Sequence, residues 1–155
     1  MPAFTFATPV RFADVDHAGI VYYPRYFHFF HIAFEELWRA RIGPRAYSAL
    51  IDSERVGFPA VHAECDFKAP LRFGDTAEIA VSVARPKSDP QAAGAAGSAV
   101  RWGKSITFRY RVYRAEPREL AAQGEVVCAV VDLARFVAIA IPEHVANMLQ
   151  DLVES

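Results

Sequence analysis

Two cysteines, Cys65 and Cys128, are all that the 155-residue chain contains. They are too few and too far apart for a disulfide framework or a cysteine-based zinc site. Each lies within an apolar stretch, so both are expected to be buried, reduced thiols of a cytosolic protein. An excess of one charge is also lacking: 17 Lys and Arg stand against 18 Asp and Glu. That balance offers no electrostatic grip on nucleic acid or on an anionic membrane surface. No apolar run approaches the ~20 residues a membrane-spanning helix needs. The first residues, MPAFTFATPVRF, lack the basic start and apolar stretch of a secretion signal, and the protein is expected in the cytoplasm.

What the chain has is apolar and aromatic mass, with 53% hydrophobic residues, 12 Phe and 6 Tyr. A single domain over residues 1–155 can bury a core of its own without disulfides or metal. Near-zero net charge beside so many aromatics favours a homo-oligomer.

Residues 4–12 alternate and carry Thr, Val and Phe, which predicts a first strand. Residues 13–23 break that pattern with Asp14, Asp16, His17 and Gly19 and read as a structured loop. Pro24 suits the first turn of a helix, where its missing N–H costs nothing. From Arg25 to about Arg41 there is no Gly or Pro, and Gly43-Pro44 ends the run. Tyr26, Phe27, Phe29, Phe30, Ile32, Phe34, Leu37 and Trp38 cannot share one narrow stripe, so this helix is expected to be buried on most sides. After a mixed stretch at 47–57, strands are predicted at 58–69, 76–84, 100–114 and 120–133. In the third of these Ile106, Phe108, Tyr110 and Val112 alternate with Thr107, Arg109 and Arg111. Pro142 opens a short C-terminal helix with Val145, Met148, Leu149 and Leu152 at helical spacing. Residues 85–99, RPKSDPQAAGAAGSA, read as a long flexible hairpin connection. The predicted architecture is α+β: a five-stranded antiparallel sheet wrapped around one long central helix, plus the short C-terminal helix.

The chemistry concentrates in RFADVDHAGIVYYPRYF, residues 11–27. Two carboxylates, two residues apart, precede a helix start. The first N–H groups of a helix lack internal partners and carry partial positive charge, so they can hold an oxyanion. Hydrolysis of an activated ester needs such a donor and a carboxylate that attacks or deprotonates water. Gly19 permits a positive φ or a close ligand approach. The residues alone leave two readings open for Asp14 and Asp16: turn-capping carboxylates or a catalytic pair.

The segment Asp14-Val15-Asp16-His17-Ala18-Gly19-Ile20-Val21-Tyr22-Tyr23-Pro24 resembles the N-terminal motif of the 4-hydroxybenzoyl-CoA thioesterase family of hotdog proteins. Pro70-Leu71-Arg72-Phe73-Gly74-Asp75 is similar to a turn widely shared among them. The resemblance runs along most of the chain. It implies the hotdog fold, hydrolysis of an acyl-CoA, Asp16 as catalytic carboxylate and the Tyr23 backbone N–H as polariser of the thioester carbonyl. It leaves Asp14 a supporting role and does not say whether Asp16 attacks directly or activates water. It further implies dimers joined into a longer sheet, a homotetramer as dimer of dimers, and active sites at the dimer interface. By the same resemblance Lys104 and Ser105, with Arg101 beside them, meet the nucleotide phosphates; Arg85 and Lys87 flank the long loop. A solvated basic strand end explains the same cations. His17 stands where one branch of the family has Pro, and it brings a donor near Asp16.

Tyr22, Tyr26, Phe27, Phe30 and Phe34 suit an aromatic acyl group, and they equally suit plain core packing; short or medium aliphatic acyl groups stay open. His28, His31 and Glu35 share a helix face, where His31 is expected to pair with Glu35 rather than bind metal. In the resembling family this part of the helix lines the acyl pocket, which makes His31 a substrate-binding candidate. No cofactor or metal is expected. A non-catalytic acyl-CoA-binding hotdog protein is the rival reading. An acyl-carrier-protein substrate gains nothing from the near-neutral charge.

Overall fold

The computed structural model describes residues 3–87 and 100–155, so most of the expected hairpin connection lies outside the described residues. The elements are β1 (Phe4–Pro9), α1 (Arg25–Ile42), α2 (Pro44–Asp52), β2 (Val56–Gly57), β3 (Ala60–Phe67), β4 (Thr76–Val83), β5 (Ser105–Arg114), β6 (Glu119–Ala129), β7 (Val131–Asp132), β8 (Val137–Ala138) and α3 (Glu143–Leu149). Five strands form one antiparallel sheet in the order β1-β4-β5-β6-β3. A second, three-stranded sheet is ordered β2-β7-β8.

Alternation sets the core face. Ile106, Phe108, Tyr110 and Val112 of β5 are buried, as are Ala77, Ile79, Val81 and Val83 of β4. They meet α1: the Phe30 ring stacks on Tyr110 at 4.6 Å and Phe34 meets Phe108 edge-on at 5.2 Å. Gly124 of β6 makes that approach feasible, because a Cβ there would sit 2.9 Å from the Phe30 ring and would overlap the Glu64 carbonyl.

The helix is not buried on most sides. Tyr26, Phe29, Phe30, Ala33, Phe34, Leu37 and Trp38 are buried, whereas His28, His31, Glu35 and Arg39 are exposed. Those polar residues recur at helical spacing and give α1 a wet stripe that the count of aromatics obscured. Two shorter helices accompany it. α3 was expected; α2 was not. Gly43, at φ +82°, reverses the chain and Pro44 opens α2, but Leu50 is the one α2 residue buried, so little apolar periodicity announces it.

The C-terminal tail is anchored to the sheet. The Glu154 N–H donates to the Val83 carbonyl at 2.9 Å. Its carboxylate, 7% exposed, accepts from Ser82 Oγ at 2.6 Å and from Arg109 Nη1 at 2.5 Å. Burial alone would raise the Glu154 pKa, but the hydrogen bonds from Ser82 and Arg109 and the charges of Arg109 and Arg111 hold it below the ordinary glutamate value. A depressed folded-state pKa gives stability that is present above the unfolded value and lost as pH falls through the folded one. Wild type should therefore be more stable than Glu154→Gln at about pH 7, and the gap should shrink on acidification to about pH 3. Thermal unfolding at both pH values checks this; an unchanged gap contradicts it.

Candidate active site

A single 3₁₀ turn, Phe12–Asp14, follows β1. Asp14 ends it with a carboxylate that is 5% exposed. Its Oδ2 accepts from the Arg11 N–H at 2.8 Å, and its Oδ1 accepts from Arg25 Nε at 3.1 Å and Nη2 at 2.7 Å. The Asp14 carbonyl also accepts from the Tyr22 N–H at 2.9 Å. One acidic residue thus ties the end of β1, the loop and the first residue of α1 together. Charge-assisted bonds of this kind are stronger than neutral ones.

Between these ties the loop folds back on itself. Val15 and Val21 form an antiparallel bridge. Inside it the Asp16 N–H donates to the Ile20 carbonyl and the Gly19 N–H to the Asp16 carbonyl, both at 3.0 Å. Gly19 takes φ +81°, which a side chain would strain. Asp16 Oδ1 accepts from the Ala18 N–H at 2.8 Å, and the Asp16 side chain is exposed. His17 and Gly19 are exposed beside it.

The same ties set the helix entrance. Pro24 is the N-cap of α1 with helical dihedrals, φ −66° and ψ −19°, and it carries no N–H. The Arg25 N–H turns back to the Tyr22 carbonyl at 2.8 Å. Among the described residues no carbonyl or side chain accepts from the Tyr23 N–H. An unpaired donor therefore stands at the positive end of an 18-residue helix. Tyr22 and Tyr23 are 49% and 62% exposed and their rings meet at 5.4 Å. Phe67, at the end of β3, packs on Tyr23 at 6.3 Å and on Tyr26 at 5.3 Å. Tyr26 is buried, and burial pushes its phenol up to about 12 against a lowering hydrogen bond from the Leu71 backbone. It is a wall here rather than an acid or base at neutral pH.

His31 lies farther along α1, with Nε2 2.9 Å from Glu35 Oε1, the expected i,i+4 pair. It borders an apolar cavity of about 350 Å³ lined also by Phe27, Phe30, Phe34, Phe58 and Tyr110. Arg101 and Ser105 instead border a cleft of about 660 Å³ with Arg85, Lys87, Trp102 and Arg109; Lys104 adjoins it in sequence. That cleft is at the other end of the sheet. Ser105 pairs with Ala129, whose N–H donates to the Pro59 carbonyl at the start of β3, while Phe67 beside Tyr23 ends β3. Seven residues of strand separate the levels, roughly 23 Å. Within one chain, then, Asp16, His17, Gly19, Tyr22, Tyr23 and Tyr26 come together, and Arg101, Lys104 and Ser105 form a second group apart.

Two features escaped the sequence reading. Phe67 lay inside a predicted strand with no sign of its neighbours. The Asp14–Arg25 pair left a weak signal: an Arg as first helix residue, where a cation opposes the helix dipole unless it is held elsewhere. Burial pushes the Cys65 and Cys128 thiols up to about 11, so neither serves as a thiolate nucleophile at neutral pH. Among the described residues no group of three His, Cys, Asp or Glu is placed to hold a metal ion, and no helix is long and apolar enough to cross a membrane.

Comparison with known proteins gives the family and the fold. The family model of the Thioesterase-like superfamily matches residues 10–149. The chain belongs to that family. A 1,4-dihydroxy-2-naphthoyl-CoA hydrolase of Synechococcus elongatus is 37% identical over 79 residues, 51% of this chain and 57% of that protein. The match spans just over half the length of that relative. A solved gentisyl-coenzyme A thioesterase is 28% identical with a TM-score of 0.71, covering 94% of this chain and 98% of that one. A 1,4-dihydroxy-2-naphthoyl-CoA thioesterase from Synechocystis superposes with a TM-score of 0.74 at 23% identity, covering 97% of each chain. The five-stranded antiparallel sheet with its long helix is thus the hotdog-type fold of this thioesterase superfamily.

Asp14→Ala should strip Arg25 of its partner. Arg25 is 36% exposed, so the cost should fall below that of a fully buried pair, at about 2–3 kcal/mol. Denaturant unfolding measures it; a loss under about 0.5 kcal/mol, the size of a neutral surface change, contradicts the clamp.

Proposed function

We propose that the protein hydrolyses an acyl-CoA thioester to the free acid and CoA, with Asp16 as the catalytic carboxylate. The observation that supports this most is an exposed Asp16 carboxylate in the loop that leads to an unpaired Tyr23 N–H at the positive end of α1. The thioester carbonyl oxygen would accept from the Tyr23 N–H, which stabilises the negative charge that develops as the carbonyl is attacked. Asp16 either attacks the carbonyl carbon, giving an anhydride that water opens, or takes a proton from the attacking water. In both routes the C–S bond breaks and CoA leaves as the thiolate. No cofactor beyond the substrate enters.

The acyl group is aromatic, resembling 4-hydroxybenzoyl, or of short to medium chain length. The names of the naphthoyl-CoA and gentisyl-CoA relatives support an aromatic or similarly sized group. His17, Gly19 and Tyr22 would border the reacting carbonyl, Tyr26 would back it, and His31 would border the acyl group. Arg101, Lys104 and Ser105 would hold the nucleotide phosphates. The protein would work in the cytoplasm as a homotetramer, a dimer of dimers.

The strand order favours a shared site. β3 is an edge strand, and Val61 on it is 64% exposed; such an edge is normally paired or covered. Antiparallel pairing of β3 with the β3 of a second copy would set one chain's Phe67 level beside the other's Ala60 level. The basic cleft of one copy would then approach Asp16 of the other, within reach of one extended CoA.

Asp16→Asn should lower kcat by at least roughly 10²-fold while the protein stays folded and still binds CoA. Free-thiol release across a panel of acyl-CoA esters reads this out. Near wild-type turnover in the variant contradicts the role of Asp16; no turnover of any ester by wild type favours the non-catalytic binding protein. Lys104→Ala should raise KM for CoA esters and leave a pantetheine thioester, which lacks the nucleotide, little changed. Equal loss on both rules out the phosphate role.

A further inference from the structure

Trp102 borders the basic cleft among its cations, and the holding of phosphates gives an indole nothing to do. We propose that Trp102 is a base-stacking platform, so that the cleft binds a purine nucleotide by its ring as well as by its phosphates. The inference rests on the thioesterase reading, whose CoA substrate carries a 3′-phosphoadenosine, and names the residue that holds the adenine.

The segment that carries Trp102 is pinned on both sides. The Gly103 carbonyl accepts from the Ile141 N–H at 3.0 Å, and the Lys104 carbonyl accepts from the Val130 N–H at 2.9 Å. The half-buried indole packs partly against the core, and its Nε1 donates to Gln150 Oε1 at 3.4 Å. The C-terminal tail around Gln150 is itself fastened. Asp151 accepts from Arg41 Nη1 at 2.9 Å and Nη2 at 2.8 Å, and the Glu154 N–H reaches the Val83 carbonyl. The polar edge of the indole is thus already partnered, so its ring surface is what it offers the cleft.

Charge divides the cleft. Arg109 borders it at the level of Ser82 in β4. Its charge is balanced by Glu154 Oε2 at 2.5 Å and Glu125 Oε2 at 3.4 Å, so that end pulls little on a phosphate. Arg85 and Lys87, beyond the end of β4, and Arg101, before β5, border the opposite end. Trp102 follows Arg101 directly, and Lys104 stands two residues on, roughly 7 Å of extended chain. One ribose separates the base of a nucleotide from its phosphate, which is a span of the same order. A single short segment therefore presents an aromatic ring between two cations at the spacing that one nucleotide needs.

The space suits the same ligand. At about 660 Å³ the cleft has the size common to small-molecule sites. A side chain at Gly103 would meet nothing within 4 Å, so the room beside Trp102 is open. Ser105 and Thr107 add hydroxyls, which suit a ribose. Removing an aromatic ring on which a base stacks weakens binding by roughly five- to hundredfold.

The test is the Kd for 3′,5′-ADP, which carries the base and phosphates of CoA without an acyl group. Trp102→Ala should weaken binding by at least about tenfold, and Trp102→Leu, which keeps apolar bulk and lacks the ring, by at least about fivefold. Trp102→Phe should stay within about threefold of wild type. A folded Ala or Leu variant that binds as wild type does overturns the platform, as does a wild type that does not bind 3′,5′-ADP. Wild-type fluorescence decides the matter even if those variants fail to fold. The other tryptophan, Trp38, is fully buried, so a change in emission reports Trp102. Stacking of the purine should quench it, and unchanged emission at saturation overturns the platform. If esters are hydrolysed in an Asp16-dependent way and 3′,5′-ADP ignores Trp102, the platform alone is wrong. If 3′,5′-ADP binds through Trp102 and no ester is hydrolysed, the platform stands and the thioesterase reading fails.

Discussion

The site depends on one buried carboxylate. Asp14 receives the Arg11 N–H and both reachable nitrogens of Arg25, while its own carbonyl receives the Tyr22 N–H. These bonds draw the end of β1 and the start of α1 onto the same residue. The loop between them is pinned at both ends, and its own hydrogen-bonded turn carries Asp16. The two aspartates of the motif therefore divide the work. The first is consumed by structure, so the second can remain exposed two residues away, and Tyr23 is held two residues before Arg25.

The sheet extends this arrangement in two directions. Toward the core, the alternation of β5 and the small Gly124 of β6 let Phe30 lie flat on Tyr110. That contact seats α1 and, with it, the helix end that bears the Tyr23 N–H. Toward the edge, β3 ends in Phe67, which closes over Tyr23 and Tyr26. The basic cleft lies a full strand length away. On the proposed reading, that separation is what would call on a second copy to supply cations to the substrate.

Much of this was legible in the sequence, for identifiable reasons. The absence of Gly and Pro from 25 to 42 and the Gly43-Pro44 stop marked α1 to within a residue or two. The strict alternation around Phe108 marked β5 and its inward face. The Asp-x-Asp and Gly19 marked the loop. What was not legible depends on long-range pairing or on single contacts. Strand order decides that β3 is an edge and that Ser105 stands far from Phe67, and no local pattern encodes strand order. The Glu154 anchor joins residues 72 positions apart and has no periodicity. α2 buries one residue and so hardly perturbs the polar stretch in which it lies.

The central claim is that the Tyr23 N–H polarises the thioester carbonyl beside Asp16. Isotope-edited difference infrared spectroscopy of carbonyl-¹³C acyl-CoA bound to Asp16→Asn, in which hydrolysis is slowed, tests it directly. A carbonyl stretch shifted to lower frequency than in water is predicted, because a fixed donor at a helix N-terminus weakens the C=O bond more than solvent does. A stretch at or above its frequency in water would place the carbonyl away from that donor and contradict the account.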